Sequence, residues 1–361
     1  MAVANTLMMG KKKHPVLLAG MGMTSTAALA AAVSNAGGLG VIGGVGYNVS
    51  QLRDMIRDLK SQLREPSLPF GVDLLIPQVG DGARKTNYDY TKGALDDLVD
   101  MVIAEGAKLF VSAVGVPPRR VVDKLHEAGV LYMNMVGHPK HVAKACAVGA
   151  DIICAQGGEA GGHGIKYHIG FILQRKGFEI NTACFHKFKS PLTGKPVALV
   201  AAGGINDGRS LAAALMLGAE AVWIGTRFVA ARESGASDYA KRVIVEAGFE
   251  DVVKSVVWTG RPLRAHKSPY IADWEENRQA EIRELTSQGI LPVEHELDRL
   301  HAEGKLTDEI MEQAELRPMG VVAALINKAD QPAKDIVDEI VTEAAELLAG
   351  ASKYVSSKSR L

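Results

Sequence analysis

Several things are scarce in this sequence. Cysteine occurs three times in 361 residues, at Cys146, Cys154 and Cys184. Their spacing matches no metal-ligand pattern and gives no disulfide framework, so three reduced thiols are expected. Neither sign of charge is in excess, because 41 basic residues balance 41 acidic ones. With no basic surplus beyond the short run Lys11 to Lys13, nucleic acid is excluded as an electrostatic partner. No apolar run reaches the ~20 residues of a membrane-spanning helix, so a soluble chain with no membrane partner is expected. No apolar leader core with a cleavage site is present either.

What the chain does have is glycine, 38 residues of it, in an otherwise ordinary globular composition with 47% apolar residues. From His14 to about Phe228, short β-rich apolar runs alternate with helical patterns. The runs begin at His14, Leu39, Pro69, Lys108, Val130, Ala150, Pro196 and Ala219. The helical patterns cover Thr26–Ala36, Ser50–Leu63, Gly93–Glu105, Pro117–Ala128, Pro139–Val148 and Gly208–Leu217. Ser50, Pro117, Pro139 and Asp207 stand at their starts as capping or first-turn residues. Several close on Ala-Gly or Gly-Ala, the glycine of a helix C-cap.

Eight strand–helix units with doubly buried strands predict a (β/α)8 TIM barrel over residues 1–236. Residues 237–361 predict a smaller, mainly helical C-terminal domain with an exposed tail, packed over the barrel as a lid or an oligomer contact. The rival is a doubly wound sheet, since Gly38 to Gly43 (GLGVIG) fits the dinucleotide-binding expression. That motif here follows a helix and opens a strand, which is the wrong context.

In a barrel the chemistry sits at the C-terminal ends of the strands. Those ends carry Gly20-Met21, Asp73, Gln156-Gly157, Gly203-Gly204 and Gly225-Thr226. Position alone marks Gly203, Gly204, Gly225 and Thr226 as a phosphate cradle or as simple loop closure. The sixth run leads into AQGGEAGGHG, Ala155 to Gly164, which holds the best candidate for a base, His163. A histidine near neutrality can take a proton from an acidic carbon. His138, after the fifth strand, is its competitor. Glu159 reads as a loop cap or a second acid. Asp73, inside PFGVDLL, reads either as a solvated turn acid or as a buried carboxylate in need of donors.

Taken in order, HPVLLAGM, AAAVSNAGGLGVIGG, PFGVDLLIPQ, AQGGEAGGHG, VAAGGINDGR and LGAEAVWIGTRF resemble the nitronate monooxygenase family, formerly called 2-nitropropane dioxygenases. ARKTNYDYTKG and AKLFVSAVGVPP resemble its fungal-type branch. The resemblance implies an FMN enzyme that oxidises alkyl nitronates, and in some members nitroalkanes, with O₂ to a carbonyl compound and nitrite. It implies His163 as the base. It also implies flavin contacts from Gly20 and Met21 under the ring, from Asp73 and Gln156 to polar groups, and from Gly161 by close backbone approach. Gly203, Gly204, Trp223, Ile224, Gly225 and Thr226 would hold the phosphate end.

The flavin-dependent enoyl-thioester reductases, which use NAD(P)H, share SNAGGLG, EAGGH and GTRF and are the alternative, followed by a degenerate flavin-binding protein. No metal is expected. The segment Gly164 to Phe188 departs from the family pattern and reads as an altered frame or exon boundary. Ser359-Arg360-Leu361 resembles a peroxisomal address, should the source be eukaryotic.

Overall fold

The computed structural model describes residues 14–80, 82–164 and 188–354. The atypical stretch after Gly164, apart from Phe188, lies outside the described residues, as do Cys184 and the terminal Ser-Arg-Leu.

Eight parallel strands form the centre: β1 (Val16–Leu18), β2 (Gly40–Gly43), β3 (Phe70–Leu75), β4 (Leu109–Ala113), β5 (Leu131–Val136), β6 (Ile152–Gln156), β8 (Ala198–Ala202) and β9 (Ala221–Ile224). Each pairs with the next in chain order. β9 returns to β1 with Trp223 opposite Leu17, and a bridge between Leu17 and Leu39 closes the ring. This is the predicted TIM barrel.

Strand alternation divides the apolar residues into two layers. Leu17, Val41, Val111, Met133, Cys154, Val200 and Trp223 fill the barrel interior. Their neighbours Val16, Ile42, Phe110, Tyr132, Ile153, Leu199 and Ile224 face the surrounding helices. Those helices bury one stripe each. In Val49–Gln62, Leu52, Ile56 and Leu59 are buried at helical spacing, each contributing about 1.5–3 kcal/mol. Asn48 caps that helix in a reciprocal pair with Gln51, two residues before the expected Ser50. Asp207 caps Gly208–Met216 as expected, paired with Ser210.

The C-terminal part differs from expectation in where its last helix packs. The last helix, Ala333–Gly350, does not belong to a separate domain. It packs against Gly208–Met216 and Ala27–Asn35, and its Ile336, Val337 and Ile340 are buried in the layer outside the barrel strands. It takes the place of the barrel's eighth helix, so the boundary at residue 236 does not hold. The region between is mainly helical, as expected, and adds one short strand pair. β10 (Val252–Ser255) and β11 (Leu263–His266) form an antiparallel pair. Beyond them, Val257, Ile271, Trp274, Ile282, Val293 and Ala314 make a small core of their own. Among the described residues, no helix is long and apolar enough to cross a membrane.

Candidate active site

The C-terminal mouth of the barrel opens into a cavity of about 2330 Å³. That exceeds the ~300–1,000 Å³ of an ordinary small-ligand pocket, so there is room for a cofactor and a substrate together.

Strand register delivers the first polar groups. Gly71 and Asp73 alternate with the outward-facing Val72 and Leu74 of β3, so Asp73 points inward at the strand's end. It is only 7% exposed, and its Oδ1 has no hydrogen-bond partner. Burial alone pushes its carboxyl well above the usual carboxylate range. Gly20 lies directly over it, where an added Cβ would stand 2.3 Å from Asp73 Cβ and 2.6 Å from Oδ2. No other residue type fits at position 20 while Asp73 keeps its place. An orphaned carboxyl under a side-chain-free backbone is the arrangement that a ligand with N–H donors would complete.

The loop after β1 is fixed by one hydroxyl. Ser25 Oγ accepts from Met21 N–H at 2.7 Å and Gly43 N–H at 2.9 Å, and donates to Met21 O at 3.0 Å. Met21, Gln156 and Trp223 line the cavity with Gly203, Gly204, Gly225 and Thr226. Gly203 and Gly204 both have left-handed backbone, with φ of 92° and 75°, and this turn suits glycine.

At two further expected contacts the protein's own packing takes up the side-chain space. Ile224 is fully buried in the layer facing the helices, away from the cavity. Gly161 lines the cavity, but a Cβ there would strike the backbone of this chain, 2.6 Å from Met319 C and 2.8 Å from Gly320 N. Its missing side chain makes room for the segment 319–320. That segment is stitched in place by Gly320 N–H donating to Thr226 Oγ1 at 2.9 Å and Val321 N–H donating to Glu159 O at 3.0 Å.

His163 sits on a two-residue strand, β7 (Gly162–His163), which pairs antiparallel with β11 so that Leu263 lies opposite His163. The base candidate is therefore held by backbone a hundred residues away. Its Nε2 lies 3.0 Å from Thr259 Oγ1. Thr259 Oγ1 in turn is 3.3 Å from the Arg261 carbonyl and 3.4 Å from the Arg261 N–H. Burial first, and then the Arg261 charge, hold the imidazole's pKa down at about 4. His163 is thus neutral at ordinary pH, which is the form able to accept a proton.

His138 lines the same cavity. Its Nδ1 accepts the Lys140 N–H at 3.1 Å, which makes it the cap of the short helical turn Pro139–His141. Glu159 is coupled electrostatically to Lys254 and Arg264, and its backbone carbonyl holds Val321. Sequence reasoning missed Thr259, Arg261 and the 319–321 segment.

Comparison with known proteins decides the family. The nitronate monooxygenase family model matches residues 5–343. The chain belongs to the nitronate monooxygenase family. It is 31% identical, over 72% of its length and 77% of theirs, to a Staphylococcus saprophyticus protein named "Probable nitronate monooxygenase". It is also 31% identical, over 74% of this chain and 67% of the other, to a Mycobacterium tuberculosis hydroxy-methyl-oxo-octahydro-indene-carboxyl-CoA dehydrogenase. Among solved structures, FabK from Thermotoga maritima matches with TM-score 0.74 and 29% identity over 98% of this chain and 99% of that one. Nitroalkane oxidase from Streptomyces ansochromogenes matches with TM-score 0.70 and 25% identity over 96% and 99%. Membership in this family makes the chain an oxidoreductase on a TIM barrel, acting on a small molecule.

Proposed function

We propose that this member of the family is an FMN-dependent enzyme that oxidises alkyl nitronates, and nitroalkanes after deprotonation, with O₂ to a carbonyl compound and nitrite. The carrying observation is the pairing of an orphaned, buried Asp73 under Gly20 with a neutral His163 in one cavity. Asp73 and Gln156 would hold polar atoms of the flavin, Gly20 and Met21 would lie against its ring, and the turns at Gly203-Gly204 and Gly225-Thr226 would take its phosphate. Bound there, FMN supplies the electron acceptor that hands electrons on to O₂.

The rest of the chemistry is this chain's own. Thr259 has one hydroxyl proton, and the Arg261 carbonyl accepts it. His163 Nε2 then carries hydrogen and donates to Thr259 Oγ1, which leaves Nδ1 as the basic nitrogen. In that tautomer His163 removes the proton from the carbon bearing the nitro group. The strand pairing with β11 holds the ring in place.

Two assays test this reading. Flavin released from the purified protein is expected to be FMN, and aerobic incubation with propionate 3-nitronate is expected to release nitrite. A coloured protein that releases none, and whose flavin is bleached by NADPH without oxygen, would move the assignment to the thioester reductases. The cavity volume and the CoA-linked relative favour that second reading. A colourless protein that does not take up FMN would mean a degenerate member.

A further inference from the structure

The described cations that are buried or nearly so have acidic partners. Arg227 Nη2 lies 3.5 Å from Glu339, Lys241 Nζ 2.9 Å from Asp330, and Arg317 Nη2 2.5 Å from Glu315. Two half-buried arginines at the cavity wall lack such an ion pair: Arg264 donates to Gly158 O in the field of the Glu159 charge, and Arg261 has no carboxylate acting on it in that way. It is partly buried at the cavity wall, and its guanidinium donates to two neutral acceptors, Asn87 Oδ1 at 3.0 Å and Val114 O at 3.3 Å. Among the described residues no carboxylate lies within ion-pair distance of it. The nearby cation Arg84, which donates to Gly260 O at 3.2 Å, adds positive charge.

A half-buried charge among neutral acceptors is costly unless an anion joins it. Val114, which turns its carbonyl to Arg261, has φ of 72°, a strained setting for a β-branched residue. Strain of this kind persists where the surrounding structure fixes it, here at the mouth of the site and on the group that aims the guanidinium.

We propose that Arg261 is the anion-binding residue of this site: its guanidinium receives the planar, two-oxygen nitronate group of the substrate and positions the adjacent carbon for His163. The proposal rests on the nitronate reading above. Arg261 shares Thr259 with His163 through its backbone, so the two groups are set by one turn. The planar fork of arginine matches a two-oxygen planar anion better than a lysine would.

Nitrate, a planar oxyanion, is the probe. Titrated calorimetrically into the protein as isolated, it binds the wild type, binds Arg261→Gln at least ~10-fold more weakly, and binds Arg261→Lys in between. In the same variants KM for a nitronate rises by about tenfold or more in Arg261→Gln, while kcat stays within about threefold. Unchanged nitrate affinity and KM in an Arg261→Gln protein that melts like the wild type overturns the proposal. Where that variant does not fold, the wild type still decides: nitrate competes with nitronate if Arg261 holds it, and absent or non-competitive inhibition overturns the idea. Loss of nitrate binding in Arg261→Gln, with no nitrite from any nitronate in either protein, supports the anion site and retires the nitronate reading. Nitrite release with nitrate affinity untouched does the reverse.

Discussion

Two aspartates are buried in this barrel, and they live opposite lives. Asp151, at the base of β6, is 3% exposed and Asp73, at the top of β3, is 7% exposed. Every oxygen of Asp151 is engaged. Ser190 Oγ donates to Oδ1 at 2.5 Å, and Oδ2 accepts from Tyr132 N–H at 2.7 Å and meets His126 Nε2 at 2.9 Å. Asp73 has an oxygen with no partner. The closed network ties β5, β6 and the turn at Ser190 together at the N-terminal face, where a barrel invests in stability. The unfinished one lies at the C-terminal face, where it costs stability until a ligand completes it. For these two aspartates, similar burial with unequal satisfaction separates scaffold from site.

The largest expected break in this contrast comes from His163→Asn, which leaves both aspartates alone. Turnover of neutral nitroalkanes falls by about 10²–10⁴-fold, read as nitrite release, while the stability of the protein changes little. Asp151→Ala acts on the other side. It strands His126, Ser190 and the Tyr132 N–H, costing about 3–5 kcal/mol, visible as a lowered Cm in urea with KM unchanged in the protein that remains folded.

Asp73→Asn reverses the sign. The cofactor-free protein gains stability at neutral pH, because burial holds the Asp73 carboxyl above the range it has in the unfolded chain and Asn removes that difference. Flavin affinity, followed by fluorescence quenching, drops by about tenfold or more as a charge-assisted bond is lost. Gly20→Ala weakens flavin binding in the same assay, since its Cβ displaces Asp73.

A pH titration gives a smaller effect. The His163 pKa in the folded protein, about 4, lies below its ordinary 6.5. The unfolded chain therefore takes up the proton first, and stability from this residue is intact above about 6.5 and lost as pH falls toward about 4. Nitroalkane turnover keeps its base above about 4 and loses it below. His163→Asn flattens that part of the stability profile. A stability curve equally steep in both proteins over that interval would contradict the assignment.

Much of the barrel was legible because its signals are local. The helix stripe Leu52, Ile56, Leu59 and the inward pair Gly71, Asp73 follow from periodicity alone. The strand ends then place Gly20, Met21, Asp73, Gln156 and Trp223 around one cavity. The contacts of residues beyond about 237 were not legible, because they depend on distant partners. His163 is paired to Leu263, Gly161 is packed on Met319, and Ala333–Gly350 returns to the wall begun by Ala27–Asn35. The local sequence of the last helix does not say which face of the barrel it covers. The Ile224 side chain faces the helices for a simpler reason. A motif names consecutive residues, whereas a strand sends every second one outward.

The most direct measurement is nitrite release in air from matched pairs, nitroethane and its preformed nitronate, by the wild type and His163→Asn. With His163 as the base and the flavin site intact, the wild type oxidises both substrates, and the variant oxidises only the nitronate while keeping its flavin. Equal turnover of nitroethane by the two proteins would contradict the account.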